Sequence, residues 1–237
     1  MELTTSKTPP SLPCLACSFV TSSVKATLIR TARFVKREHV QYVAKEVYHV
    51  PDSINCKKAL NMVAKCSPDF LLNHCLRSYA FGIAMSHKVK KPIDKEIYFL
   101  GAIMHDLGLI TAYDIGGTFE LDGAQAARSF CRGRNISQEK ADLVHEIVAH
   151  HNSVGIAHKK DPEVALLHFA AGLDVAGLWL NDIHPKTLSE VIDEFPRLEF
   201  KKGMKTLLED QVKRKPDSYM RPFLKLGFLK KIDDTPF

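Results

Sequence analysis

The stretch IYFLGAIMHDLG, residues 97–108, is apolar for eight residues and then sets a histidine beside an aspartate before a glycine. An apolar run this short is typical of a core helix or strand and is too short for a membrane span. A carboxylate at the end of a core element needs a partner, because burying an unpaired charge is costly. A neighbouring imidazole and a divalent metal would together satisfy it. His105 and Asp106 are therefore candidate ligands, although such a dipeptide alone is more often a chance pair or a helix cap.

A second buried charge is expected at Asp174, the only charged residue in the apolar segment 169–179. A helix that is apolar on all sides lies in a core, where aspartate is rare unless it is paired. Lysine and arginine are absent from residues 164–180, so no cationic partner lies on the same helix. We expect a metal or a histidine as the partner, with a hydrogen-bonded structural aspartate as the alternative. In the metal-free protein Asp174 would then face Asp106, and Asp174→Asn would relieve repulsion.

The hydrophobic pattern from residue 69 onward predicts helices and no sheet, so the predicted fold class is all-α. The first of these helices carries an apolar stripe at helical spacing, formed by Leu72, Leu76, Tyr79, Ala80 and Ile83. A loop is predicted over residues 111–122, with Asp122 as the cap of the helix that follows. Ser137 is expected to cap the next helix, and Asp161-Pro162 to open an apolar helix that runs to Leu180. Two further helices are predicted at about residues 185–195 and 201–213.

The chain divides into four predicted segments. Residues 1–23 are rich in Ser, Thr and Pro and are expected to be disordered or targeting-like. Residues 24–68 form a basic helical extension, residues 69–228 the main domain, and residues 229–237 a C-terminal tail. Residues 3–37 contain six basic residues and no acid, which is typical of a mitochondrial transit peptide. A solvated tail leading into a basic helix is the alternative.

Composition limits the partners and the compartment. The formal charge of +6 is moderate, and the basic residues are not interleaved with aromatics on one face, so no nucleic-acid partner is expected. No apolar run reaches the length of a bilayer span, so no membrane partner is expected either. Without a secretory signal, the six cysteines are expected to be free thiols in a reducing compartment. We predict a cytoplasmic protein, with mitochondria as the alternative. The sequence does not indicate an oligomeric state.

Three features in chain order resemble the HD superfamily of metal-dependent phosphohydrolases: Asn73-His74-x-x-Arg77 on a predicted helix, then His105-Asp106, then the lone Asp174. The resemblance implies an HD-domain helical bundle with a single metal site. It also implies the metal ligands, which are His74, His105, Asp106 and Asp174. Within the superfamily the chain looks most like the cyanamide hydratase-like branch. The segments that support this branch are residues 73–77, 105–108, 119–123, 149–152 and 195–198.

Two departures from other branches narrow the expected chemistry. Deoxynucleotidase-type members carry an acid three residues after the HD aspartate and use it to activate water, but this chain has Leu109 there. The HD-GYP phosphodiesterases place a further histidine ligand where this chain has Phe119. We therefore expect one metal and not two. Histidine and aspartate together are intermediate between hard and soft ligands, so one divalent Zn, Fe, Mn or Ni ion would fit.

The function implied is a metal-dependent hydrolase or hydratase that adds metal-activated water to a small molecule, as in cyanamide hydratase. A phosphomonoester or nucleotide phosphohydrolase is the first alternative, and it would need a basic pocket. A non-catalytic HD-fold binding protein is the second alternative.

Four residues are candidates for catalysis. His150 or His151 could move a proton, and only one of them should face the pocket, since adjacent helical residues point about 100° apart. A histidine at a helix C-terminus is also favoured for structural reasons alone. Glu120 lies in the predicted loop, which is expected to close over the site, and could contact substrate. Arg77 could bind an anionic group, or could simply pair with Asp106 or another core acid.

Overall fold

A computed structural model of the protein describes residues 40–237, together with residues 11–13, 16, 17 and 21. Most of residues 1–39, which comprise the predicted segment 1–23 and the start of the predicted segment 24–68, therefore lies outside the described residues. Between residues 54 and 233 the chain forms ten α-helices joined by loops and short 3₁₀ turns, and the described part contains no β-strand. The all-α prediction is confirmed. The helices are α1 (Ile54–Cys66), α2 (Asp69–Ala84), α3 (Lys95–Met104), α4 (Phe119–Arg132), α5 (Gln138–His150), α6 (Pro162–Ala176), α7 (Pro185–Glu194), α8 (Phe200–Arg214), α9 (Met220–Lys225) and α10 (Phe228–Asp233).

Short-range signals in the sequence start several of these helices. The Ser53 hydroxyl accepts a hydrogen bond from the third amide of α1, and the Ser137 hydroxyl does the same for α5. The Asp94 carboxylate accepts hydrogen bonds from two backbone amides at the start of α3. Each of these bonds satisfies backbone donors that a helix terminus leaves without a partner. Pro162 occupies the first turn of α6, where its missing amide proton costs nothing.

The start of α4 differs from the prediction. The helix begins at Phe119, inside the loop predicted over residues 111–122, and Asp122 is not its cap. The Asp122 carboxylate instead accepts hydrogen bonds from the amides of Ile115 and Gly117 and pairs with Lys215 at 3.1 Å. Asp122 thus holds the preceding loop against the helix, a role that helix-start rules applied to the sequence do not distinguish from capping.

The apolar helix α6 ends four residues earlier than predicted, at Ala176. Gly177 adopts a left-handed conformation with φ 61°, and its amide bonds back to carbonyls of the last turn. A glycine in this position is a common helix terminator. The chain then turns back at Trp179, whose ring lies 5.2 Å from that of His168 and 5.1 Å from that of Phe169. The early stop therefore places the only tryptophan against the side of α6.

Helices α2, α3, α5 and α6 form the centre of the bundle. α2 packs against both α3 and α6, and α5 packs against α3 and α4. The turn that follows α3 approaches α4 so closely that a Cβ on Gly108 would lie 1.9 Å from the Phe119 carbonyl oxygen. Only glycine permits this approach. It fixes the His105-Asp106 turn against the first turn of α4.

The last three helices form a second apolar cluster that covers one end of this bundle. Its buried members include Phe200, Met204 and Leu208 from α8, Met220 and Phe223 from α9, and Ile232 from α10. Most of α10 lies in the predicted tail 229–237, where Ile232 is buried and the Thr235 hydroxyl donates to the Val175 carbonyl. The four-segment division itself stays a prediction. In the part of the chain that the structure describes, no helix is both long and apolar enough to cross a bilayer.

Candidate metal centre

Three side chains from α2 and the end of α3 converge in the bundle centre. His74 lies on α2, His105 is the C-terminal cap of α3, and Asp106 follows it. The two Nε2 atoms are 3.1 Å apart, and each lies 3.4 Å from Oδ2 of Asp106. All three residues are buried. They form the group of side chains that could hold a metal ion in the described part of the chain.

Hydrogen bonds on the outer side of each ring fix which nitrogen carries a lone pair. Nδ1 of His105 donates to the Ala102 carbonyl at 2.8 Å, and Nδ1 of His74 donates to an Asp174 carboxylate oxygen at 2.6 Å. In the neutral rings both Nε2 atoms are therefore acceptors. Burial lowers the pKa of His105, which favours this neutral form.

The facing nitrogens cannot satisfy each other, and the nearby Asp106 Oδ2 is buried without a hydrogen-bond partner among the described residues. Buried polar atoms are normally paired, so a convergence of three acceptors requires an explanation. A cation provides one, and imidazole with carboxylate suits a divalent transition metal. The residues present therefore fit the metal that the sequence implied.

Asp174, the predicted fourth ligand, lies on the outer side of His74 and not among the three converging atoms. Its carboxylate accepts hydrogen bonds from His74, from Nε and Nη2 of Arg77 at 2.7 and 2.8 Å, and from Nη1 of Arg197 at 2.9 Å. Burial by itself raises the pKa of Asp174. The charge of Arg77 and the hydrogen bonds from His74 and Arg77 outweigh burial and hold this pKa well below its usual range.

The expectation that Asp174 faces Asp106 as an uncompensated charge in the metal-free protein is therefore wrong, whereas the expected histidine partner is present in His74. The two cationic partners of Asp174 come from α2 and from the segment after α7, whereas the sequence argument considered only its own helix. In this arrangement the carboxylate orients the His74 ring, a role that carboxylates often take behind metal-binding histidines.

Arg77 belongs to this ion pair and not to the pocket wall. It is fully buried, and its Nη1 also donates to the carbonyls of Phe195 and Pro196 at 2.8 and 3.2 Å. Of the two roles considered from the sequence, the structure places Arg77 in the pairing one. Its partner is Asp174 and not Asp106.

His150 and His151 point in different directions, as expected for adjacent helical residues. His151 lines the pocket beside the cluster. Its Nδ1 donates to the Val148 carbonyl at 2.7 Å, and its Nε2 lies 3.8 Å from Oδ1 of Asp106. His150 instead bonds through Nδ1 to the Ser153 hydroxyl and lies 3.4 Å from the Glu146 carboxylate. Of the two histidines, His151 is therefore the one that faces the cluster.

Glu120 was predicted to lie in a loop that closes over the site, but it lies in the first turn of α4, where it is fully buried. One carboxylate oxygen accepts a hydrogen bond from the Asn152 side-chain amide. The other has no hydrogen-bond partner among the described residues. Asn152 lines the pocket, whereas Glu120 does not. Glu120 therefore contacts the pocket lining through its hydrogen bond from Asn152.

A cavity of about 80 Å³ opens beside the cluster. Among the described residues, its charged and hydrogen-bonding lining includes His74, His105, Asp106, His151, Asn152 and His168, and no lysine or arginine. Sequence reasoning missed His168, which shares a helical stripe of α6 with Ala171, Gly172 and Val175. Its Nδ1 donates to the His151 carbonyl at 2.8 Å, and burial lowers its pKa to about 4, so the ring is neutral. His168 and Asp174 lie on the same helix but contact different neighbours. The position of Asp174 in the sequence therefore does not by itself identify His168 as a pocket residue.

An all-α bundle with a buried His-His-Asp cluster is the class that fold and site define. The family model described as HD domain matches residues 71–213, well over half of the 237 residues. The chain therefore belongs to the HD domain family, whose members are mostly metal-dependent hydrolases. The family resemblance seen in the sequence is confirmed.

Individual relatives are more distant. Cyanamide hydratases DDI2 and DDI3 of Saccharomyces cerevisiae are each 25% identical over 172 residues, which cover 70% of this chain and 76% of the relative. Ribonuclease Y of Acidothermus cellulolyticus is 37% identical over 62 residues, 26% of this chain and 11% of that protein. These relatives support the family and do not identify a substrate.

Proposed function

We propose that the protein is a metal-dependent hydratase or hydrolase that adds water to a small uncharged nitrogen compound of the nitrile or amide type. The observation that carries the proposal is the convergence of three buried acceptors on a pocket that no cationic side chain of the described residues lines. The distant similarity to cyanamide hydratases supports the same substrate class.

In this proposal His74, His105 and Asp106 hold one divalent ion, which is Zn, Fe, Mn or Ni. When bound, such an ion lowers the pKa of water towards neutrality and polarises the substrate. Asp174 keeps the His74 ring turned so that Nε2 faces the ion. The alternative, with Asp174 as a fourth ligand, would require its carboxylate to give up hydrogen bonds from Arg77 and Arg197.

His151 is the proposed proton carrier. Its ring is held by the Val148 carbonyl, and its Nε2 lies on the Asp106 side of the pocket. In this position it takes a proton from the attacking water and returns one to the substrate nitrogen. Asn152, held by Glu120, orients the substrate head. Water is thereby added across the carbon–nitrogen bond without net loss of a proton.

Phosphate ester hydrolysis is the less favoured reaction. Phosphate recognition relies on arginine or lysine beyond the metal itself, and Arg77, the candidate from the sequence, is committed to Asp174 and two carbonyls. The proposed substrate is accordingly a small molecule without a phosphate group, and no nucleic acid is part of the proposal.

Protein purified without a tag or chelator is expected to contain about one transition metal per chain by elemental analysis, because the described cluster provides one set of three ligands. With that metal bound, it is expected to hydrate or hydrolyse members of a panel of cyanamide, nitriles and small amides. Phosphomonoesters and nucleotides serve as the comparison.

Three results would change the proposal. Two metals per chain would contradict a mononuclear centre. Turnover of phosphomonoesters alone would establish the phosphohydrolase alternative. Absence of bound metal, even after incubation with each of the four ions, would favour the non-catalytic binding protein.

We propose that the reaction takes place in the cytoplasm, with mitochondria as the alternative. The mitochondrial alternative depends on residues 1–37, which lie almost entirely outside the described residues. A C-terminal fluorescent fusion of the full chain separates the two: mitochondrial signal that disappears on deletion of residues 1–37 would establish the alternative.

A further inference from the structure

The pocket is larger than the proposed reacting group requires. Roughly 10–15 Å³ is enough to hold one water molecule, so a cavity of about 80 Å³ has room for about five to eight water-sized groups. Cyanamide consists of only a carbon, two nitrogens and hydrogen. Most of the cavity would therefore stay empty or wet if the substrate were that small.

Polar and apolar side chains of the cavity lining come mostly from different elements of the fold. The polar groups belong mainly to the cluster and to the His151-Asn152 segment after α5. The remaining wall is built by apolar side chains of α8, α9 and α10 together with the segment after α6, including Leu208, Met220, Phe223, Phe228 and Trp179. Contact of these side chains with apolar atoms of a ligand is favourable, whereas their contact with water is not.

The apolar wall also lacks the groups that a polar substrate tail would need. Among the described residues, no serine, threonine, lysine or arginine side chain lines the cavity. Outside the cluster and His151, the lining side chains that carry a nitrogen or oxygen atom belong to Asn152, His168 and Trp179. The Asn152 amide already donates to Glu120, and its Oδ1 has no hydrogen-bond partner in the described part of the chain. The cavity thus offers acceptors to a neutral head that carries N–H groups, and contact surface to everything else.

Resting on the proposed function, we propose that the substrate carries an apolar tail of about two to five carbon atoms, the room that the cavity leaves beside a head of about three heavy atoms. The head lies at the His74-His105-Asp106 cluster. The tail lies between α6 and the side chains of Leu208, Met220 and Phe228. Cyanamide itself is then a poor substrate in comparison with a longer organic nitrile or amide.

The test uses hydroxamic acids, whose head group binds metal ions, with tails of increasing length. Acetohydroxamate, pentanohydroxamate and benzohydroxamate are titrated into the metal-loaded full-length protein, and binding is measured by calorimetry. Each buried methylene raises affinity about fourfold, so pentanohydroxamate is expected to bind about 10- to 60-fold more tightly than acetohydroxamate. Equal affinities across the series would overturn the tail and leave the proposed reaction intact.

A second arm does not depend on the metal. Chelator-treated protein is titrated with pentan-1-ol and with methanol, and ligand-observed NMR reports binding. Binding of pentanol together with failure of every hydroxamate would support the apolar pocket and count against the metal centre. Absence of binding by both pentanol and the longer hydroxamates would overturn the tail.

Two variants locate the tail. Ala171→Leu projects extra carbon atoms from α6 into the cavity, and Phe228→Ala removes part of the opposite wall without touching the cluster. In either variant the pentano- to acetohydroxamate affinity ratio is expected to fall at least threefold, by loss of about one buried methylene or more. Ala64→Leu, the same change at an exposed position of α1, is the matched control and should keep the wild-type ratio. A ratio unchanged in both pocket variants would contradict the assigned position of the tail.

Discussion

Asp174→Asn is expected to lower the free energy of unfolding of the metal-free protein by about 3–5 kcal/mol, the usual cost of removing one partner from a buried ion pair. Arg77 is fully buried beside it, and Arg197 is largely covered. Asparagine keeps one acceptor oxygen but turns an amide group towards donors on His74 or Arg77. Two guanidinium groups would then lack their counter-charge.

Urea unfolding of chelator-treated wild type and variant measures this difference. The matched control is Asp142→Asn, the same change in a partly exposed pair with Arg128 and Arg132, where both distances are 3.5 Å. Exposed pairs contribute less than about 1 kcal/mol. A loss at Asp174 no larger than that of the control would show that Asp174 is not a structural anion and would return it to the ligand set.

The effect of Asp174 should depend on pH in a defined direction. Its folded-state pKa is held well below the unfolded value of about 3.9. Its contribution to stability is therefore fully present above that value and declines as pH falls below about 4. The difference between wild type and Asp174→Asn should accordingly be largest near neutral pH and shrink in acid.

Asp106→Asn is expected to behave in the opposite way. Loss of its charge should weaken metal binding by more than about 100-fold, since even changes behind the ligands cost about 10–100-fold, and activity should fall with metal content. The metal-free variant, however, should be as stable as metal-free wild type or up to about 1 kcal/mol more stable. The reason is that an asparagine amide can donate to Nε2 of His74 or His105, both 3.4 Å from the present Oδ2.

Elemental analysis and urea unfolding, performed on both variants in parallel, separate a ligand from a structural anion. The expected pattern is metal loss without destabilisation at Asp106, and destabilisation even without metal at Asp174. Retention of a full metal complement by Asp106→Asn would remove Asp106 from the proposed centre. A large loss of metal-free stability in the same variant would mean that Asp106 has protein partners that outweigh its orphaned oxygen.

Much of the fold was predictable because it depends on short-range signals. The helical spacing around Tyr79, the Ser137 cap and the Asp161-Pro162 start each involve residues within a few positions of one another, and the structure contains the predicted helices. The same holds for the His105-Asp106 turn, whose local geometry is determined by the apolar run before it and the glycine after it. The family followed from these motifs and their order along the chain.

Two short helices escaped prediction for a related reason. α9 and α10 are each six residues long, which is less than two full turns and too short to show a periodic apolar face. Their position is set by packing of residues such as Phe223 and Ile232 against α8 and α6. The part of the apolar pocket lining that these helices supply, Met220, Phe223 and Phe228, was therefore not visible in the sequence.

The sequence by itself determined the all-α class, the family and the burial of Asp106 and Asp174. The tertiary structure alone decided how those charges are used: Asp174 meets Arg77, 97 positions away, and His151 and not His150 faces the cluster. The physical reason is that a side chain's partner depends on the rotation and packing of whole helices. These are set by the summed burial of many apolar residues far apart in the chain, whereas a motif records only which residues are near in sequence.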